Sequence, residues 1–383
     1  MKKSLSLFLG ILFIVVLMGC ERSLIDETDI PNGLEPIAPY RDCDVPILDD
    51  VWVCIWADEF DGTEVDETKW TFVIDGQGGG NNELQYYRKE NASVENGILT
   101  ITAKAESFMG RAYTSARLHS QYKGDFQYVR VLVRAKMPSG RGTWPAIWMM
   151  PTLSVYGRWP FSGEIDIMEY VGYDKDRVHS TIHTRAFNHS LGTQLGNSLF
   201  VPNMETEFKV YEMIWRPGNI QTFVDGLKIA EFGYAPQFNR AIPYHHAFPF
   251  DQLFHMILNL AVGGNWGGVM GVDVNAFPTS MAIDYVRVYQ IDYATYDKEP
   301  PSIPTQISLA EMPNTLYWRA STDDYGVEKY AIYIDGAFSR YATLNQITLT
   351  DLVKGQTYQI QIEAIDFVGR TSGLSDSFSL TIQ

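Results

Sequence analysis

The chain has 383 residues, a length that suits one large and one small domain better than a single one. Its formal net charge of −16 argues against a nucleic-acid partner, which would require a basic surface, and favours a neutral ligand. The 9 Trp and 22 Tyr exceed what packed cores need, a weak indication that some of their flat apolar faces meet sugar rings.

The N-terminus has the pattern of an export signal. Lys2 and Lys3 precede a mostly apolar stretch, Leu5 to Met18, which is too short to be a comfortable membrane span. It ends in Leu17-Met18-Gly19-Cys20, which resembles the lipobox of bacterial lipoproteins. The resemblance implies that residues 1–20 are a lipoprotein signal, cut before Cys20, whose thiol is diacylated. The alternative is a plain signal peptide with an incidental cysteine.

A lipid anchor at Cys20 would hold the protein on a membrane without spanning it. We therefore expect an extracytoplasmic protein of the bacterial cell envelope, lipid-anchored at the outer membrane or the cell surface. Residues 21–50 are rich in acidic residues and proline without any period, as expected of a tether. Cys43 and Cys54 form an even pair, as consistent with a disulfide in an oxidising compartment as with two separate thiols.

From Val51 the pattern becomes one of short strands separated by turns. An Asn96-Gly97 turn leads into the alternating strand pattern of 98–103, and residues 208–224 read as a hairpin with a turn at 217–219. Residues 281–290 alternate in the same way, and no window shows a capped helical stripe. The prediction for residues 51–291 is an all-β sandwich of antiparallel strands.

A second domain follows a proline-rich linker at residues 292–303. In residues 304–383, Trp318 is expected to begin a strand, and Leu352, Gly355 and Tyr358 have the Leu-x-x-Gly-x-x-Tyr spacing. This segment resembles a fibronectin type III module, which implies a small immunoglobulin-like β-sandwich with a tyrosine corner at Tyr358. Such a module would serve as a spacer or docking unit.

Three acidic residues stand within six positions at Glu164, Asp166 and Glu169, interleaved with apolar residues. On a regular strand Glu164 and Asp166 share a face, whereas Glu169 points to the other. A one-residue β-bulge near Ile167–Met168 would bring Glu169 back to the face of the other two. An exposed edge with solvated acids is the alternative, but it fits the apolar residues of the opposite face poorly.

Carboxylates aligned on one buried strand repel one another, so chemistry must require them. Retaining glycoside hydrolysis does, because one carboxylate attacks the anomeric carbon and a second, protonated, supplies a proton to the leaving oxygen. The segment resembles the Glu-x-Asp-x-x-Glu signature of glycoside hydrolase family 16. The flanks agree over residues 51–291, through Trp56-Ala57-Asp58-Glu59-Phe60, Thr143-Trp144-Pro145-Ala146-Ile147-Trp148 and Asn259-Leu260-Ala261-Val262-Gly263-Gly264-Asn265-Trp266.

The resemblance is to bacterial laminarinases, endo-acting β-1,3-glucanases with a curved β-jelly-roll (concanavalin-like) fold. It implies that Glu164 is the nucleophile, Asp166 its assistant and Glu169 the acid/base. Cleft positions carried over from the family for β-glucan binding are Asn81, Asn82, Arg117, Trp144, Trp148, Trp159, His183 and Trp266. His183 could instead be a satisfied core histidine, and Trp266 could fill the sandwich.

The resemblance implies no cofactor for catalysis, but it does imply a structural calcium ion held by Glu59, the backbone at Gly97 and Asp284. We expect a monomer. One departure is Gly79, where relatives often carry a bulky residue, and the insertion-like stretch 185–203 is expected near the cleft mouth. The same fold acting on mixed-linkage β-1,3-1,4-glucan or on an algal galactan such as agar is an alternative, and so is a non-catalytic glycan-binding lipoprotein.

Overall fold

The structure is a computed structural model that describes residue 49, residues 51–234 and residues 242–383. The predicted signal peptide, the lipidation site Cys20, Cys43 and the tether apart from residue 49 lie outside the described residues. Cys54 is disulfide-bonded, whereas its predicted pairing with Cys43 stays a prediction. In the part of the chain that the structure describes, no helix is long and apolar enough to cross a membrane.

The described residues between 52 and 291 form 18 strands, most of which pair in antiparallel fashion. In chain order they are β1 (Trp52–Asp58), β2 (Thr71–Phe72), β3 (Gln85–Tyr87), β4 (Ala92–Glu95), β5 (Ile98–Ala103), β6 (Tyr113–Ser115), β7 (Arg117–His119), β8 (Asp125–Phe126), β9 (Arg130–Lys136), β10 (Thr143–Pro151), β11 (Glu164–Glu169), β12 (Arg177–His183), β13 (Leu195–Phe200), β14 (Lys209–Arg216), β15 (Asn219–Val224), β16 (Leu227–Gly233), β17 (Phe254–Val262) and β18 (Thr279–Ile291). The helices are one turn long: α1 (Tyr244–Ala247), α2 (Gly264–Gly267) and α3 (Tyr293–Tyr296), with 3₁₀ turns at Lys89–Asn91, His189–Leu191 and Val274–Ala276.

These strands form two eight-stranded sheets. The outer sheet has the order β16-β15-β14-β9-β18-β5-β4, with β1 also on β18. The inner sheet has the order β13-β12-β11-β10-β17-β7-β2, with β8 also on β17. Strands β3 and β6 pair separately in parallel. Neighbours that are distant in sequence, such as β10 and β17, place residues from all parts of the domain side by side.

The core lies between the two sheets, because alternate residues of each strand turn towards the partner sheet. Strand β9 shows this most simply: Val131, Val133 and Ala135 are fully buried, while the residues between them are not. Strand β17 is buried along its whole length, since the inner sheet is covered on both faces there. The predicted all-β sandwich is confirmed, as are the hairpin of β14 and β15 and the Asn96-Gly97 turn, where both residues have positive φ.

The C-terminal residues form two further sheets and a separate hydrophobic cluster around Trp318, Tyr330 and Ile362. The strands of these sheets are β19 (Thr305–Leu309), β20 (Thr315–Arg319), β21 (Val327–Ile334), β22 (Ala337–Ala342), β23 (Gln346–Thr348), β24 (Thr357–Asp366), β25 (Thr371–Leu374) and β26 (Phe378–Thr381). One sheet has the order β19-β20-β23, and the other has β22-β21-β24-β25, with β26 also on β24. The expectation that Trp318 begins a strand is wrong, because β20 starts three residues earlier, at Thr315. The hydroxyl group of Thr315 forms a hydrogen bond with that of Thr348 on β23.

Candidate active site

Strand β11 lies inside the inner sheet and contains the three acidic residues. On its partner β10, Ile147 lies opposite Met168 and Trp148 lies opposite Asp166, so Ile167 is an extra residue. The pairing of β11 with its other neighbour, β12, has the same irregularity between Asp166 and Glu169. The predicted β-bulge is confirmed. It turns both Ile167 and Met168 into the core, where they are fully buried, and returns Glu169 to the face of the other two acids.

Each of the three acidic side chains lies close to a ring nitrogen of a neighbouring side chain. The indole Nε1 of Trp159 donates a hydrogen bond to Oε2 of Glu164, and that of Trp144 donates to Oε1 of Glu169 at 3.0 Å. On β12, His183 lies directly opposite Glu164, and its Nε2 is 3.3 Å from Oδ2 of Asp166. The two indole donors hold the carboxyl groups of Glu164 and Glu169 in fixed orientations, which is what a reaction at a defined carbon atom requires.

These acids open into a cleft of about 630 Å³ on the exposed face of the inner sheet. Its lining residues are Asn81, Trp144, Glu164, Glu169, His179, Thr181, His183, His189, Gln194, Gly196, Asn197, Ser198, Asn265 and Trp266. A smaller adjoining cavity of about 50 Å³ includes Asp166, Trp148 and Arg117. The cleft therefore combines half-buried acids with aromatic faces and amide groups, a mixture that suits a sugar chain.

Comparison with known proteins gives the class of this site. The model of the glycosyl hydrolases family 16 matches residues 80–287, more than half of the chain. The chain belongs to glycosyl hydrolases family 16. A β-glucanase from Rhodothermus marinus is 50% identical over 245 residues, which cover 62% of this chain and 85% of the relative.

Solved structures agree with this assignment. The X-ray structure of the laminarinase from Rhodothermus marinus is 49% identical, with a TM-score of 0.61, and the match covers 63% of this chain and 98% of that one. A mutant of SCLam, a non-specific endo-β-1,3(4)-glucanase co-crystallised with a glucan oligosaccharide, is 41% identical with a TM-score of 0.59, covering 64% and 97%. The chain is a glycoside hydrolase with the jelly-roll fold of family 16, whose members retain anomeric configuration and need no cofactor for catalysis.

Burial is the main cause of the raised pKa values of the three acids in the family 16 site. It raises the pKa of Glu164 to about 8, helped by the charge of Asp166 and opposed by His183 and the Trp159 hydrogen bond. It raises the pKa of Glu169 to about 7, against the hydrogen bond from Trp144, and that of Asp166 well above its ordinary value. Because the three groups repel one another, the cluster holds protons near neutral pH that exposed carboxylates would release.

The remaining predicted substrate residues lie around the acids in different ways. Trp148 donates from Nε1 to Asn259 at 2.7 Å, and its ring lies 4.6 Å from the guanidinium of Arg117, so both form the floor of the small cavity. Trp266 is a cleft residue, with its ring edge-on to Trp144 at 5.6 Å, and it does not fill the sandwich. Asn82 is not among the lining residues, and its side chain instead donates to Asn265 at 2.9 Å.

His179 is a cleft residue that was not predicted from the sequence: it lies opposite Glu169 on β12 and edge-on to Trp266. Strand β13 forms the adjacent wall of the cleft. The stretch 185–203 was expected near the cleft, and its lining residues confirm this. Gly79 has a left-handed φ of 55°, and a Cβ atom there would collide with the buried carboxyl group of Glu83, which explains the missing bulky residue.

The side chains of the predicted calcium site do not fit that role fully. Both oxygens of the Glu59 carboxylate bind Arg287, at 2.7 and 2.8 Å, and Asp284 is paired with Arg134. A carboxylate that is neutralised in this way is a poor ligand for a cation, and the calcium site at Glu59, Gly97 and Asp284 stays a prediction. The backbone of Gly97 does lie beside the Glu59 carbonyl group, and calcium there would depend on carbonyl oxygens.

The raised pKa values predict how the stability of the enzyme depends on pH. A carboxyl group whose pKa is higher in the folded state binds more protons there, so stability is full below the unfolded pKa and is lost as pH rises. For Glu164 this loss of folding stability should extend from about pH 4.5 to about pH 8. We expect Glu164→Gln to melt at a higher temperature than the wild type at pH 8 and to show a flatter profile of Tm against pH.

The matched control for this experiment is Glu95→Gln, an exposed acid at the end of β4. It should leave the profile of Tm between pH 4.5 and 8 unchanged. Equal profiles for the wild type and Glu164→Gln would show that the Glu164 carboxyl group is not held protonated by its surroundings.

Proposed function

We propose that the chain is an endo-acting β-1,3-glucanase that hydrolyses laminarin-type glucan by double displacement. The observation that carries the proposal is the bulged strand β11, which presents Glu164 and Glu169 on one face with Asp166 between them, inside an aromatic cleft. Its substrate class follows from similarity to the β-glucanase and the laminarinase of Rhodothermus marinus.

In the first step, an Oε atom of Glu164 attacks the anomeric carbon while the protonated Glu169 gives its proton to the departing glycosidic oxygen. The bond from the anomeric carbon to that oxygen breaks as the ester bond to Glu164 forms. Asp166, whose pKa burial keeps high, shares its proton with Glu164 and so stabilises the ionised nucleophile, together with the Trp159 N–H group. His183 adds a favourable charge interaction for the carboxylates on either side.

In the second step the ester is hydrolysed. The Glu169 carboxylate takes a proton from a water molecule, whose oxygen attacks the anomeric carbon and displaces Glu164. The Trp144 hydrogen bond stabilises Glu169 while it is ionised between the two steps. Two inversions at one carbon give net retention, so the product first formed is the β-anomer.

We assign the sugar-contacting surfaces by position. Trp144 and Trp266 lie on the Glu169 side of the cleft, and Trp159 lies on the Glu164 side, with its ring 4.9 Å from that of His189. Aromatic faces on both sides of the acids support binding of a glucan chain across the cleft, as internal cleavage requires. Asn81 and Arg117 supply polar contacts to sugar hydroxyl groups beside them.

Substrate choice separates this proposal from its rivals. SCLam acts non-specifically on β-1,3(4)-glucan, which makes mixed-linkage glucan the second candidate. We expect the full chain to release reducing ends from laminarin, with slower or no release from lichenan and none from agarose. Release from agarose alone would refute the glucanase, and release from none of the three would favour a non-catalytic glycan-binding protein.

We further propose that residues 304–383 are a fibronectin type III-like module. The support is the two-sheet arrangement and the hydroxyl group of Tyr358, which accepts a hydrogen bond from the backbone N–H of Val353 at 3.2 Å, as in a tyrosine corner. Its role would be that of a spacer or a docking unit. We also propose a monomer, which light scattering of the soluble protein would test.

We propose that Cys20 carries a lipid anchor at the outer membrane or the cell surface. The support is the Leu17-Met18-Gly19-Cys20 sequence after a short apolar stretch. Cys20→Ser should move the hydrolase from the membrane fraction to the soluble extracytoplasmic fraction and abolish incorporation of radiolabelled palmitate. An unchanged distribution between the two fractions would favour the plain signal peptide.

A further inference from the structure

Three aspartates from distant parts of the chain meet in the C-terminal half of the structure. Asp297 directly follows helix α3, Asp323 lies in the turn between β20 and β21, and Asp366 ends β24. One carboxylate oxygen from each lies within 4.8 Å of the others. None of the three belongs to the catalytic site or to the predicted calcium site.

These carboxyl groups are held in place by one oxygen and leave the other without a donor. The Oδ1 atom of Asp323 accepts from the backbone N–H groups of Tyr325 and Gly326, and that of Asp366 accepts from Val368 and Arg370. The Oδ2 atoms of Asp297, Asp323 and Asp366 are buried and accept no hydrogen bond from any described residue.

Such an arrangement is costly without a cation. Asp297 and Asp366 have no solvent exposure at all, and a buried carboxylate oxygen that accepts no hydrogen bond is destabilising. Burial and the neighbouring charges of Asp366, Asp323 and Asp324 raise the pKa of Asp297 to about 6.

The positively charged side chain beside this cluster is that of Arg370. Its Nη1 atom lies 3.4 Å from Asp297 and 3.6 Å from Asp366, long distances for ion pairs, and its side chain is 36% exposed. One guanidinium group at the edge leaves a net negative charge on the three carboxylates, and Asp324 nearby adds to it.

We propose that Asp297, Asp323 and Asp366 form a binding site for a divalent cation, of which Ca²⁺ fits best. Ca²⁺ prefers oxygen ligands at about 2.4 Å, so two oxygens on one ion can be at most about 4.8 Å apart, as these are. One ion bound by the three carboxylates would neutralise their charges together, and each of the three has an oxygen that accepts no hydrogen bond from a described residue. Mg²⁺ fits less well, because it retains several water molecules and two of the three aspartates have no solvent exposure.

The site lies where the two sandwiches meet. Phe367, next to Asp366, stacks on Tyr293 of helix α3 at 4.2 Å and lies edge-on to Tyr128 of the catalytic domain at 5.8 Å. A cation that joins Asp297 to Asp366 therefore ties the linker helix to the tip of the C-terminal sandwich. Its effect would be to fix the orientation of that sandwich against the hydrolase, and not to take part in catalysis.

The first test counts bound calcium ions. The full chain is treated with EDTA, dialysed, and equilibrated with ⁴⁵Ca²⁺. Asp323→Asn should bind one ion fewer per chain than the wild type, whereas Asp351→Asn, an exposed aspartate of the same sandwich, should bind the same number. Asp284→Asn is included because it reports on any ion at the catalytic-domain site. An equal count for Asp323→Asn and the wild type would overturn the proposal.

The second test uses the sign of a stability change. In EDTA, Asp297→Asn removes a repelling buried charge, so its Tm should exceed that of the wild type. With Ca²⁺ at about 100 times its Kd, the wild type should gain roughly 5–10 °C and melt above the variant. If Arg370 is the true counter-ion, Asp297→Asn will melt below the wild type in EDTA as well, and the site is then an ion pair. An equal gain with Mg²⁺ would overturn the assignment to Ca²⁺.

Discussion

Replacing Glu164 with serine is expected to lower kcat on laminarin by on the order of 10⁴-fold or more, because no ester to the sugar can then form. The fold should survive, since the serine is smaller and uncharged at a position where burial already disfavours the ionised carboxylate. Initial rates of reducing-end release, with circular dichroism as the check on folding, measure both parts of this prediction.

A chemical control identifies the role of Glu164 directly. In the Glu164→Ser variant an azide ion can occupy the vacated space and attack from the side of the missing carboxylate, which gives an α-glycosyl azide from an activated aryl glycoside. The wild type should give the β-anomer as its first product by proton NMR. More than a trace of turnover by the variant without azide, or an initial α-anomer from the wild type, would exclude Glu164 as the nucleophile.

The architecture of the catalytic strand could be predicted from six residues. Alternation fixes the face of each side chain, so an odd offset between Glu164 and Glu169 requires one extra residue if both are to act together. The apolar residues on either side of Asp166 show which face meets the core. The structure places the extra residue at Ile167, where the prediction put the bulge.

Other parts of the cleft could not be predicted in this way. His179 reaches the site only because β12 pairs with β11 in the sheet, and pairing between strands is not visible in the local pattern. The buried carboxyl group of Glu83 was not predicted from the sequence, for a related reason. Glu83 lies in a loop, and its carboxyl group is held by Gln85 and Tyr87, neither of which shows its burial in the sequence.

The aspartate cluster of the C-terminal half shows the same limit more clearly. Asp323 was part of a predicted turn and Asp366 part of a predicted strand, and each reading is correct by itself. Only the packing of the linker helix against two loops brings Asp297 to them. Local patterns therefore identify elements and a contiguous catalytic motif, whereas a site assembled from three segments requires the tertiary structure.

Replacing Glu169 with alanine should separate the two catalytic steps. Loss of the proton donor is expected to reduce kcat on laminarin by about 10²–10⁴-fold, because the glycosidic oxygen must then leave without a proton. An aryl glycoside with a good leaving group needs no such proton, so its first step should be nearly unaffected and its glycosyl ester should accumulate. A burst of the aryl alcohol equal to the enzyme concentration measures that accumulation.

Azide should then rescue the Glu169→Ala variant with the opposite stereochemistry to the Glu164→Ser variant. Without the Glu169 carboxylate, water is not activated, but azide needs no base and attacks the ester of Glu164 from the open face, which gives a β-glycosyl azide. Asp166→Asn is the control, because Asp166 lies between the two acids and should give neither azide product. If Glu169→Ala yielded the α-azide, the roles of Glu164 and Glu169 would have to be exchanged, since the stereochemistry of the product records which carboxylate had been bonded to the sugar.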